Sequence, residues 1–160
     1  MSNLSNLFTF ENITLLIALW GALLSTIKVL FDYSKNIRKL KVQIAIGIRR
    51  GFGTVFVLVT AMNVGYRDIT LSSWGYYLPD KKYMTSDPNE VNSNVKFPCT
   101  LSEGKECTVW QTPRQLATAL VNNGYSGKIK LRGYYRSAIG TIVKSKPIDF
   151  DIQKALAETE

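Results

Sequence analysis

The sequence predicts a mainly β protein: an N-terminal transmembrane helix, then an antiparallel β-sandwich with one short connecting helix. Three observations predict it. Residues 13–30 form an apolar run in which Lys28 is the only charge. From about Lys39 the apolar period changes to two, and strand-like segments recur between turn signals. A single later segment carries helix start and stop signals. The chain of 160 residues is the size of one ordinary domain, and 46% apolar content is enough for a folded core.

The apolar run is eighteen residues. As a helix it rises roughly 27 Å, close to the hydrocarbon thickness of a bilayer. Lys28 lies near its end, where its ammonium reaches the headgroups. A cleaved signal peptide wants bases before the run and a small-x-small site after it; here the bases follow, and Phe31, Asp32 and Tyr33 come next. The expectation is therefore a retained membrane helix. Ala18, Gly21, Ala22, Ser25 and Thr26 share one helical face. Such a stripe of small residues lets a second helix approach closely, which suggests a homodimer or lateral contact with another membrane protein, although small residues are also common in membrane helices generally.

Charge orients the helix. Residues 28–50 hold seven bases against one acid, whereas residues 51–160 hold thirteen against ten, so most of the net +8 follows the apolar run. Lys28, Lys35, Arg38, Lys39 and Lys41 mark that flank as cytoplasmic, leave the N-terminus outside, and favour anionic lipid headgroups as partners. The expected location is the plasma (inner) membrane, single-pass, with the C-terminal domain cytoplasmic and its thiols reduced. The chain then divides into a short tail (1–12), the membrane helix (13–31), a basic juxtamembrane linker (32–38), the sandwich (39–152) and a C-terminal tail (153–160).

Within the sandwich, Leu40, Val42, Ile44, Ile46 and Ile48 alternate with Lys41, Gln43, Ala45 and Gly47, the pattern of a half-buried strand. A glycine-rich basic turn follows at 49–53; it lacks the spacing of a phosphate-binding loop and opens no helix. Residues 54–62 are apolar on both parities, as in a strand covered on both faces. A turn at 63–68 precedes a strand at 69–78, and Pro79, Asp80 and Lys81 make a further turn before a short edge strand at 82–85. Residues 86–94 read as a polar loop. Residues 95–101 and 105–111 read as a hairpin around Ser102, Glu103 and Gly104. A three-residue loop sets Cys99 opposite Cys107, and a four-residue loop points them to opposite faces; the sequence leaves both open. Thr112 is an N-cap with Pro113 at the first helical position and Gln115 completing a capping box. Leu116, Ala117, Leu120 and Val121 form the expected buried stripe, and Gly124 ends the helix. This helix is expected to cross between the sheets and close one end. Strands at 128–136 and 141–152 complete six or seven.

Strands at this spacing suit an Ig-like sandwich. Residues 59–71, with Asn63 and Gly65 at the corner, resemble the strand-turn-strand of immunoglobulin-like and fibronectin-III-like modules. The whole layout resembles small single-pass prokaryotic membrane proteins that carry one such domain. That resemblance implies a fold and no particular activity.

The composition excludes much chemistry. With no His there is no Ser-His-Asp or Cys-His catalysis and no His-bound zinc, and two Cys cannot complete a zinc site alone. No cofactor is expected. Asp149 and Asp151 share a strand face, but nothing apolar surrounds them to raise a pKa. The most specific surface feature is a basic strand: Lys128, Lys130, Arg132 and Arg136 share one parity with Tyr134, which is expected to be exposed, and Lys144 and Lys146 lie on the next strand. Ile129, Leu131, Gly133 and Tyr135 take the inward parity. Such a face attracts lipid headgroups, phosphates or an acidic protein, or merely keeps the domain soluble. Nucleic acid is disfavoured, because aromatic interleaving is thin and no recognition motif is present. The expected function is non-enzymatic: protein binding or assembly at the inner membrane face. The alternatives are an extracytoplasmic ligand-binding or adhesion module with reversed topology, and, further off, a hydrolase or transferase using acidic residues.

Overall fold

A computed structural model describes residues 10–35, 37–48, 54–85 and 92–157. The chain forms two units, Met1–Ile37 and Arg38–Glu160. The first contains helix α1, Phe10–Lys35. From Asn12 to Tyr33, 22 residues, α1 is long and apolar enough to cross a membrane, and none of it is buried by protein. The helix runs five residues beyond the apolar run and four beyond its expected limit at residue 31. Most of the expected linker is therefore helical.

The second unit is a sandwich of two antiparallel sheets around one core. One sheet has the order β1 (Leu40–Ile48), β2 (Val55–Asn63), β7 (Glu106–Gln111), β5 (Asn92–Ser93). The other has the order β10 (Ile148–Asp151), β8 (Lys128–Ser137), β3 (Ile69–Tyr77), β4 (Tyr83–Thr85), with β6 (Cys99–Leu101) also on β3 and β9 (Ile142–Lys144) also on β8. Val57, Val59 and Ala61 of β2 meet Leu71, Trp74, Tyr76, Leu131 and Tyr135 of the facing sheet in one apolar cluster. Gly133 is required there: a Cβ at this position would stand 2.4 Å from Val59 Cγ1.

Helix α2 (Pro113–Asn122) leads from one sheet to the other, with the expected capping box and with Pro113, Leu116, Ala117 and Leu120 buried. Val121 is 44% exposed, contrary to its expected place in the stripe. It sits at the edge of the apolar arc, where the next element packed against α2 is the six-residue helix α3 (Ile152–Ala157). That helix replaces the expected C-terminal tail from 153: Ile152 and Ala155 are buried, and Asp151 Oδ1 accepts from the Lys154 amide at 3.1 Å. Together α2 and α3 close one end of the sandwich.

The expected hairpin at 95–111 does not form. Cys99–Leu101 pairs with β3, and Glu106–Gln111 pairs with β2, so the Ser102–Lys105 turn passes from one sheet to the other. The expected strand at 141–152 is broken in two at Ser145, Lys146 and Pro147, where proline cannot donate to a ladder; the Ser145 hydroxyl instead accepts from the Gly133 amide at 3.0 Å. Strand β1 keeps its inward parity at Leu40, Val42 and Ile44, but Ile46 and Ile48 are exposed. Beyond Ile44 the facing sheet gives way to an open cleft of about 450 Å³ lined by Ile46, Val55, Pro113 and Phe150. The 49–53 turn and most of the 86–94 loop lie outside the described residues.

At the other end, Asn63 holds the β2–β3 corner. Its buried amide donates to Arg67 O (2.8 Å) and Leu101 O (2.9 Å), and its Oδ1 accepts from the Gly65 amide (3.0 Å). The Asn-x-Gly signal is thus a structural device joining the corner to β6.

Candidate functional site

Strand β8 alternates as expected: Leu131, Gly133 and Tyr135 face the core, while Lys128, Lys130, Arg132 and Arg136 are exposed on the outer face. Register then divides the bases. Lys128 lies opposite Asp151 and Lys130 opposite Asp149 on β10. The Lys128–Asp151 pair is 3.8 Å apart. Two of the expected binding bases therefore face acids, and the same pairing accounts for the two aspartates as surface partners.

The upper half of β8 faces different neighbours. Arg132 is opposite Tyr77, Arg136 opposite Ser73 and Ile142, and Tyr134 opposite Gly75 and Lys144. Tyr134 is only 2% exposed, which corrects the expected solvent-facing Tyr. The cause is Gly75. With no side chain there, the ring lies against the neighbouring backbone, so a Cβ on Gly75 would stand 2.9 Å from Tyr134 Cε1. Strand β4 then covers the ring: Tyr83 packs edge-on at 5.1 Å, and the Thr85 and Tyr134 hydroxyls share a hydrogen bond of 2.8 Å.

What reaches solvent above Tyr134 is a pair of tyrosines and a lysine. Tyr77 and Tyr83 are cross-strand partners with centroids 5.0 Å apart. Lys144 Nζ stands 3.4 Å from the Tyr77 centroid and 4.9 Å from that of Tyr83. A cation over aromatic faces at this range gains about 0.5–1 kcal/mol at an exposed site. Contact with the Tyr83 hydroxyl moves the Lys144 pKa up. Lys146 is exposed in the break between β9 and β10.

The turn at Pro79, Asp80 and Lys81 positions Tyr83. Leu78 and Lys82 close it with a backbone bond of 3.0 Å, and Lys82 Nζ pairs with Asp80 Oδ2 at 2.9 Å. Contact with Lys82, and then with the Tyr125 hydroxyl, pulls the Asp80 carboxyl down to about 2. Tyr77 and Tyr83 were missed among the candidate site residues. The available signal was the tight turn between them, which places two residues six positions apart opposite each other across a hairpin.

The remaining predicted residues take no part in this face. Lys28 is exposed on α1, Arg38 and Lys39 are exposed before β1, and Lys41 is exposed on it; the Lys35 backbone ends α1. Ala18, Gly21, Ala22, Ser25 and Thr26 lie along α1, with the Thr26 hydroxyl donating to Ala22 O at 2.9 Å.

The two cysteines come from different sheets. Cys99 lies beside Leu71 of β3 and Cys107 beside Ala61 of β2, so the two are not cross-strand neighbours of one hairpin. Contact with Cys107 holds the Cys99 thiol below its ordinary value; the same contact and burial push Cys107 up. Tyr135 Oη lies 3.8 Å from Cys107 Sγ and donates to Val59 O at 2.8 Å. Among the described residues, no group of three or more His, Cys, Asp or Glu is placed to hold a metal ion. No protein-family model and no curated protein matches the chain.

Proposed function

We propose that this chain is a non-enzymatic, single-pass membrane protein whose sandwich binds an acidic protein partner on the outer face of its six-stranded sheet. One observation carries the reading: Lys144 stands over the Tyr77–Tyr83 pair and Arg132 is the cross-strand partner of Tyr77, with Arg136 four residues further along the same exposed face, while Asp149 and Asp151 of β10 lie opposite Lys130 and Lys128. An aromatic pair beside guanidinium groups offers both apolar area and charge, the mixture enriched at protein interfaces. The basic flank of α1 supports a cytoplasmic domain at the inner membrane face. The strand orders β1-β2-β7 and β8-β3 with β9 and β10 outside β8 support the immunoglobulin-like reading. The small-residue stripe of α1 supports lateral contacts within the bilayer.

The experiment is a titration of the full chain, in nanodiscs of phosphatidylcholine, with fluorescent poly-glutamate at low salt. Replacing Arg132 and Arg136 by Glu should weaken binding by roughly tenfold. Lys128→Ala should leave it nearly unchanged. Equal losses from the two sites, or no binding by the parent chain, would remove the proposal.

One observation favours the reversed topology. Cys99 and Cys107 are free thiols near enough to shift each other's pKa, and neighbouring thiols pair in an oxidising compartment. Thiol-reactive mass tags applied to denatured native membranes decide it: two tags without reductant support the cytoplasmic placement, and tagging only after reduction supports the reversed one.

A further inference from the structure

The end of the sandwich opposite α2 and α3 is unlike the rest of its surface. Four segments meet there: the entering strand, the 64–68 corner, the 102–105 turn and the 138–141 turn. The register places them together. Leu40 pairs with Asn63, Ile69 with Leu101, and Leu71 with Ser137. The Val64 amide donates to Lys39 O at 2.9 Å, and the Ala138 amide to Thr70 O at 2.8 Å.

Two of these tips, 64–68 and 138–141, carry exposed apolar residues where turns are ordinarily polar, while the 102–105 turn is polar, with Glu103 and Lys105 exposed. Ile139 is 68% exposed, Tyr66 58% and Val64 51%. None is needed by the core, and none is demanded by turn geometry, since the left-handed position in the last turn is Gly140. Arg38, Lys39 and Arg67 are exposed among them. Between β1 and the 138–141 turn a cleft of about 180 Å³ is lined by Arg38, Leu40, Asp68, Ile139 and Val143. Apolar tips interleaved with bases suit an interface that offers acyl chain and anionic headgroup together.

Covalent geometry supplies the second argument. Only residues 36–39 separate α1 from β1. Fully extended, that connection spans at most roughly 18 Å. It leads directly into this end of the sandwich and not to the helical end.

We infer that the loop end of the sandwich, through Val64, Tyr66 and Ile139 with Arg38, Lys39 and Arg67, docks onto the anionic bilayer surface that α1 enters. The inference rests on the reading of α1 as a membrane span. It leaves the Tyr77–Tyr83 face on the side of the domain, open to a partner in the adjacent aqueous phase.

The test uses the full chain, one copy per nanodisc, in phosphatidylcholine with about 30 mol% phosphatidylglycerol. A fluorescent amino acid is placed at Ile139 or, as the control on the helical end, at Ser126. A nitroxide on the lipid headgroup should quench the label at 139 several-fold more than the label at 126. Tyr66→Asp with Arg67→Glu should bring the two values together while circular dichroism stays unchanged. Retention in the disc with equal quenching at both positions overturns the docking alone. Failure of the chain to remain in the disc overturns the membrane span and the docking with it. Equal preferential quenching in discs of phosphatidylcholine only overturns the electrostatic half of the assignment.

Discussion

The two faces of the six-stranded sheet carry aromatic residues from the same two strands. Trp74, Tyr76 and Tyr135 point inward and are almost completely buried, whereas Tyr77 and Tyr134 point outward with Tyr83 beside them. The inner rings are covered by β2 and β7. The outer rings are covered by one another, by a three-residue strand and by the Lys144 ammonium. Similar residues thus serve opposite ends. Inside, apolar area removed from water stabilises the fold; outside, a partly solvated aromatic pair with cations around it is stabilising only weakly and remains available to a partner.

Stability measurements break or sharpen this contrast. The largest effect should come from Trp74→Ala, which empties a central inner position and should cost about 3–5 kcal/mol in urea unfolding. Tyr83→Ala on the outer face should cost roughly 1 kcal/mol, the loss of aromatic edge contacts at a half-solvated site. Comparable losses from both would erase the distinction. Gly133→Ala should cost about 1–3 kcal/mol by overpacking against Val59.

The inner face contains a finer contrast. Tyr135 Oη donates to Val59 O, but among the described residues Tyr76 Oη is buried without a hydrogen-bond partner. Tyr135→Phe should therefore cost about 1 kcal/mol, while Tyr76→Phe should be neutral or stabilising. Thermal melts of the two variants side by side check this.

The smallest effect concerns the turn that sets Tyr83 opposite Tyr77. The folded pKa of Asp80 lies near 2, below its ordinary 3.8. Its contribution is present above the ordinary value and is lost as pH falls through about 2. Near-UV circular dichroism of the tyrosines should show this transition between pH 4 and 2, and Asp80→Asn should abolish it.

Much of this architecture was legible in the sequence, and the exceptions share a cause. The apolar run, the capping box at Thr112 and the alternation of β8 are local signals, and all three correspond to elements of the expected kind. The pairing of β6 with β3 joins Thr70 to Thr100 across thirty residues, and a nearby glycine turn favours the shorter-range hairpin instead. The burial of Tyr134 depends on Gly75 across the sheet, and the division of the bases depends on which of them face Asp149 and Asp151. Parity tells which side of a sheet a residue takes; only register tells what covers it. The proposed face therefore shares β8 with the basic strand expected from the sequence, but two lysines of that strand lie opposite aspartates and two tyrosines of the neighbouring hairpin join it.

The most direct test of the outer face is photo-crosslinking of the full chain in its native membrane. A photoreactive phenylalanine analogue is placed at Tyr83, or at Gln43 on the exposed side of β1 in the other sheet. An adduct with an acidic protein is expected from position 83 that disappears on Arg132→Glu with Lys144→Glu, and no such adduct from position 43. The same adduct from both positions, or an adduct at 83 that survives the charge reversal, would contradict it.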